Sequence, residues 1–538
     1  MQPKRRFFGP DRQSTAFILA ALGSCLIAPA QAEQRSLELS PALEAALSAV
    51  AEDASLRASG AQNARSGPTT CSDPGATGSA ARQPSAEVDP AEPEPCPLML
   101  AEGEVPEGPD PEEPDTAESQ TSEGPPAART RAVPPIISDP SDPSRLLGEI
   151  VQRETERNAL IPRSPINDLS EATTRLSNGL YNDTGVRLGL NINHASQDLS
   201  VALPNQPTGG STTDLDFILS WDVVNRGTPT VGKIYAHLEG RWDYGTRGPQ
   251  NLGFQSLGSA IGTANAFSGY EPTFLLRNLY WQQGSSEAGW FYRIGRITTD
   301  AILGTSKYLS PVTTFLSNAS TGFFANAYPD TGYGVVAGAW ITDRLGVMAL
   351  ASDAYGNRFT DGDLSRMTFY TAGEIAFKQW PLTENAGYSK ITIWNNPGGL
   401  PINAMTGRSG WGMSVKLEQE LTTDGRLIGI GRWSKSLGGS AAIWDEQASA
   451  HLVYNNPRLL RILKDDAIGV GFNWLKVNEE TRDEYDIEVF YRFPLFQNLD
   501  VTLAYQYDIQ PANAVTPILK RSIIDDGSAF TLRLRTTF

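Results

Sequence analysis

The sequence predicts an all-β protein: an antiparallel transmembrane β-barrel of about 16 strands behind a largely disordered N-terminal extension. Three observations carry that prediction. The last stretch, Ser528-Ala-Phe-Thr-Leu-Arg-Leu-Arg-Thr-Thr-Phe538, puts Phe530, Leu532, Leu534, Thr536 and Phe538 on one strand face. Thr531, Arg533, Arg535 and Thr537 fall on the other, and an apolar-out, charged-in segment of about ten residues is the unit of a membrane barrel. Strand candidates recur upstream with connections that alternate between short and long. No run of 18 or more apolar residues exists for a spanning helix.

The N-terminal part reads differently from the rest. Residues 1–32 form an expected signal peptide: basic Lys4, Arg5 and Arg6, an apolar core over 16–27, and a small-residue cleavage site at Ala30-Gln31-Ala32. A competing reading takes Leu22-Gly-Ser-Cys25 as a lipoprotein box with Cys25 lipidated. Residues 33–165 form an expected periplasmic extension, acidic and Pro-rich with short helical segments. Leu43, Leu47, Val50 and Ala54 give one helical pattern, and residues 145–159 give another. Between them, Asp89-Pro-Ala-Glu-Pro-Glu-Pro95 and its neighbours bury too little apolar surface to offset their ordering entropy. Cys71 and Cys96 lie where export permits a disulfide, and their spacing neither requires one nor suits a metal. The net charge of −17 argues against nucleic acid, because phosphate contacts need a basic face.

The barrel domain is expected over 180–538. Its strand candidates are 184–194, 212–224, 231–245, 272–283, 288–298, 333–342, 344–353, 367–379, 388–396, 409–421, 426–437, 441–455, 466–477, 483–494, 499–509 and 528–538. In the second, Leu215, Phe217, Leu219, Trp221 and Val223 oppose Asp214, Asp216, Ser220 and Asp222. In the third, Ile234, Ala236, Leu238 and Trp242 oppose Lys233, Tyr235, His237, Glu239, Arg241 and Asp243. Two strands resist phasing. Residues 274–282 are apolar on both faces and 426–435 fit either register, so Arg277 and Arg432 have no assigned face. The connections after the eleventh and twelfth strands break the short–long alternation.

The C-terminal strands carry a resemblance. Asp466-Ala-Ile-Gly-Val-Gly-Phe-Asn-Trp474, Asp486-Ile-Glu-Val-Phe-Tyr-Arg492 and Leu503-Ala-Tyr-Gln-Tyr-Asp-Ile-Gln-Pro511 resemble the last strands of the carbohydrate-selective porins (OprB-type family). Glu488, Tyr491, Arg492, Gln506 and Tyr507 stand at matching positions, and Phe291-Tyr-Arg-Ile-Gly-Arg296 resembles the family's fifth strand. The final Phe538 resembles the assembly signal read by the barrel-assembly machinery of bacterial outer membranes. Ala504 replaces an expected proline, and the acidic extension is not a common family feature. The resemblance implies a sixteen-stranded outer-membrane porin that passes monosaccharides and short oligosaccharides, with no cofactor.

A sugar pore needs planar hydrogen-bonding groups for hydroxyls and aromatic faces for the ring. The pore-lining candidates are Arg187, Glu239, Arg241, Arg293, Glu488, Arg492, Arg533 and Arg535, joined by Lys233 and His237. The competing reading makes most of them lumen charges that satisfy one another across strands. The connection 299–332 is the expected constriction loop, with Tyr308, Phe315, Phe323, Phe324 and Tyr328 too apolar for full solvation. No nucleophile elbow, metal-ligand pair or phosphate loop is present, so an enzyme is not expected. Two alternatives remain open. One is a general, anion or aromatic-acid porin with an arginine-rich lumen. The other is a barrel anchor in outer-membrane lipid whose extension, on the order of 200 Å at ~3.1 Å per residue, reaches peptidoglycan or another periplasmic partner.

Overall fold

In the computed structural model the chain is described over 159–162 and 165–538, except 270–273, 286, 307, 361–363, 379–384, 402–404, 461–462, 464, 478–481 and 513–523. The expected signal peptide, the helical pattern at 33–60, that at 145–159 apart from its last residue, and Cys25, Cys71 and Cys96 lie outside those residues. A helix, α1 (Pro165–Thr184), is followed by strands β1 (Val186–Leu199), β2 (Gly209–Val224), β3 (Gly232–Tyr244), β4 (Phe274–Ser285) and β5 (Trp290–Ile297). Then come β6 (Gly332–Trp340), β7 (Leu345–Asp353), β8 (Phe369–Phe377), β9 (Ser389–Asn396), β10 (Gly410–Glu420) and β11 (Leu427–Gly439). The last five are β12 (Glu446–Asn455), β13 (Ala467–Lys476), β14 (Glu484–Phe496), β15 (Leu499–Ile509) and β16 (Asp526–Thr537).

Each strand pairs antiparallel with its sequence neighbours, and β1 pairs with β16, so the sheet closes on itself. Closure removes the free edges that an open sheet would present. The alternation does the rest. Outward positions carry Trp221, Leu238, Ile294, Ile393, Leu417, Val470 and Phe530, all exposed. Inward positions carry Asn191, Asp214, Glu239, Lys416, Glu488 and Arg533, all buried. A closed barrel greasy outside and charged inside is a lipid-spanning object. All 16 expected strands are present, and the two interrupted connections are real: 440–445 is short at the long-loop end, and 456–466 is long at the short-turn end.

The two ambiguous strands have physical explanations. In β4, Leu276 pairs with Leu238 and Asn278 with His237, leaving Arg277 as the extra residue of a bulge. The bulge lets both Arg277 and Asn278 serve the interior. In β11 the inward positions begin with Ile428 and Ile430, buried in an internal apolar cluster, before Arg432 and Ser434. An apolar interior patch hides the alternation that a water-filled lumen would produce.

Helix α1 is not among the expected elements. Pro165 starts it, where the missing N–H costs nothing, and Asp168 lies in the first turn. It docks at the short-turn end, with the Ser177 hydroxyl donating to Leu188 O at 3.1 Å and Tyr181 Oη to Asp222 Oδ2 at 2.9 Å. Leu160 and Ile161 just before it donate their N–H groups to Pro494 O and Leu495 O at 3.0 and 2.9 Å.

Candidate functional site

The interior is occupied by two connections from the long-loop end. The β5–β6 loop, 298–331, runs around the inside of the barrel and is held by charged wall residues. Gly304 N–H donates to Glu374 at 2.7 Å, and Lys416 Nζ donates to Thr305 O at 2.6 Å. Arg533 donates to Pro311 O at 2.6 Å and Thr314 O at 3.1 Å, and Arg492 to Thr313 O at 3.2 Å. Glu488 accepts the N–H groups of Leu316 and Ser317 at 2.5 and 3.1 Å. Arg432 closes the circuit on the carbonyls of Ala319 and Ser320 at 3.0 and 2.5 Å. A charged group bonded to a backbone dipole stabilises both partners, which lets these stretches of loop backbone sit inside the barrel.

Apolar contacts fix the same loop. Phe315 packs edge-on against Phe490 and His451, with ring centroids 4.9 and 4.7 Å away. The wall makes room with glycines. A Cβ on Gly469 would lie 2.9 Å from the Phe315 ring, and one on Gly471 3.0 Å. The Gly-x-Gly of β13 is therefore the socket for the loop. The β3–β4 loop adds a second plug: Ala260 and Ile261 donate N–H groups to Glu484 at 2.7 and 3.1 Å, as does Ala512 at 2.7 Å.

A cavity of about 170 Å³ stays open against β2, β3 and β4. Its wall is a chain of ion pairs. Arg241 lies 2.8 Å from Asp214 and 2.6 Å from Glu239; Arg277 lies 3.4 Å from Glu239 and 3.7 Å from Asp330. Arg358, from the β7–β8 loop, meets Asp330 at 2.6 Å, and His237 meets Asp216 at 2.8 Å. Burial acts to raise the Asp330 carboxyl, and the positive charges of Arg358 and Arg277 overcome it and hold the group below the ordinary value. Phe323, Phe324 and Tyr328 face the charges from the loop. Asp214, Asp216 and Glu239 converge closely enough to hold a cation. The Arg241 guanidinium already bonds two of those three carboxylates.

The expected pore residues divide into three groups. Glu239 and Arg241 line the open cavity together with His237. Glu488, Arg492 and Arg533 face inward but hold the loop. The remaining three lie elsewhere on the wall. Arg187 stacks at 3.7 Å on Tyr181 of α1, Arg293 donates to Gln282 at 2.6 Å, and Arg535 donates to Asn191 at 3.1 Å. Of the loop aromatics, Phe323, Phe324 and Tyr328 border the cavity, whereas Phe315 and Tyr308 pack in the apolar cluster. Arg277, Asp300, Asp330 and Arg358 were not among the expected pore residues. The first sits on a bulge and the others on loops, where no alternation assigns a face.

Comparison with known proteins agrees with this architecture. Residues 395–538 match the model of the carbohydrate-selective porin, OprB family. The C-terminal strands carry the OprB-type signature. The fold also resembles Pseudomonas putida OprB in its high-pH structure, with a TM-score of 0.52 and 12% identity over 67% of this chain and 96% of that one. The low-pH structure of the same protein gives 0.44 and 14%, covering 71% and 99%. OmpF of Salmonella typhi in complex with daunomycin gives 0.41 and 11%, covering 66% and 99%. No curated protein matches the chain. The OprB-type match over the C-terminal strands and the closed sixteen-stranded barrel support an outer-membrane channel of porin type.

Proposed function

We propose that the channel passes carbohydrates, monosaccharides and short oligosaccharides, down their gradient across the outer membrane. The observation that carries the reading is the pairing of surfaces in the constriction. Arg241, Arg277, Glu239 and Asp214 supply donors and acceptors on one side, and Phe323, Phe324 and Tyr328 supply ring faces on the other. A sugar presents hydroxyls at its rim and C–H groups on its faces, so it uses both. The family match supports the same class of solute. In this reading α1 and the extension before it lie in the periplasm, because short turns face that side in porins. Liposome swelling with glucose, maltose and a polyol of equal size tests it. Sugars should enter faster than the polyol, and equal rates would make the pore a general one.

A further inference from the structure

The charges of the constriction point to the kind of sugar it takes, an inference that rests on the carbohydrate reading above. Among the described residues, the cavity wall brings four acidic side chains against three guanidiniums, and a fifth acid, Asp330, pairs with two of those guanidiniums from behind. The acids are Asp214, Asp216, Glu239, Asp300 and Asp330. The guanidiniums of Arg241, Arg277 and Arg358 each already lie against at least one of them. The fourth, Arg432, stands in the adjoining lobe, stacked 3.9 Å over Phe323 and bonded to Ala319 and Ser320 carbonyls. His237 is engaged with Asp216.

An anionic solute needs a cation it can pair with, and a bidentate guanidinium is the strongest such partner. Here that partner must first be taken from a carboxylate, in a narrow site whose walls focus the local field. A hydroxyl faces no such barrier, since it donates to the carboxylates and accepts from guanidinium N–H groups without displacing a charge. We propose that the constriction passes neutral and cationic sugars and turns back sugar acids, and that its small-ion current is carried mainly by cations. The arginines of the opposite wall, Arg492 and Arg533, do not line this cavity and point instead at the carbonyls of the inner loop.

The test uses the full chain in liposomes and planar bilayers at neutral pH. Glucose and glucosamine should enter at least about threefold faster than gluconate, and the zero-current potential in a KCl gradient should have the sign of a potassium-preferring channel. Asp300→Asn and Glu239→Gln should each move that potential toward chloride, with the heat-modifiable gel band confirming a folded barrel. Equal entry of glucose and gluconate, or a chloride-preferring potential in the unaltered protein, overturns the proposal while leaving sugar passage standing. A potassium-preferring potential with no sugar entry overturns the carbohydrate reading instead.

Discussion

The Glu488 carboxylate accepts the backbone N–H of Leu316 at 2.5 Å, tying a strand near the chain's end to a loop from its middle. The neighbouring N–H of Ser317 reaches its other oxygen at 3.1 Å. Replacement by alanine leaves two buried donors without this acceptor, at ~1–3 kcal/mol each. Glu488→Ala should therefore keep the folded band on gels but give a noisier, larger single-channel current. An unchanged quiet trace would show that the loop is held without this residue.

Arg492 and Arg241 should respond differently to the same change. Arg492 Nη1 holds Thr313 O, whereas Arg241 borders the open cavity. Arg241→Ala removes a donor from the solute's path, and its loss should raise the half-saturation for sugar block of the current by roughly tenfold, equivalent to ~1.4 kcal/mol. Arg492→Ala should alter current noise and leave that half-saturation within about twofold. A larger shift in block for Arg492 than for Arg241 would place the solute on the opposite wall.

The socket for Phe315 gives a steric test. Valine at Gly471 would press on the ring and on His451, so Gly471→Val should expel the loop from its seat. The expected result is a wider pore, read as faster swelling with a trisaccharide than the unaltered channel gives. Gly431→Val on β11 is the control, because a Cβ there meets nothing within 4 Å.

Phe538 closes the sheet. Its N–H donates to Leu190 O at 2.8 Å, and its carbonyl accepts from Leu190 N at 3.0 Å. Deleting it should lower the amount of protein in the outer membrane several-fold while each surviving channel conducts normally. Normal abundance would remove any role in assembly.

Deleting residues 33–158 while keeping residues 1–32 should leave barrel assembly and sugar entry intact. The cut spares Leu160 and Ile161, whose backbones pair with the end of β14. Absence of the heat-modifiable band would place barrel determinants inside the deleted segment.

The barrel was legible because lipid imposes a strict alternation, which β16 obeys along its length and β2, β3 and β14 obey between their register shifts. Legibility failed where interior packing replaced interior water. Ile428 and Ile430 point inward because Phe315 and Leu316 of the loop cover them, and no single strand records that partner. Arg277 was lost to a bulge, which breaks the count of two on which face assignment depends. Glu239 and Arg241 lie on a well-phased strand and so were found in the constriction. Glu488, Arg492 and Arg533 were found on the inner wall by the same rule. The sequence carries no sign that loop backbone would reach them before solute does.

Glu484 and Glu488 sit on one face of β14, and between them they hold the β3–β4 and β5–β6 loops. Segments synthesised early thus depend on a strand synthesised late. A barrel that lacks β14 has neither carboxylate on which to seat those loops. Selectivity is then a property of the closed sheet as a whole, since its last strands hold segments that lie far away in the chain.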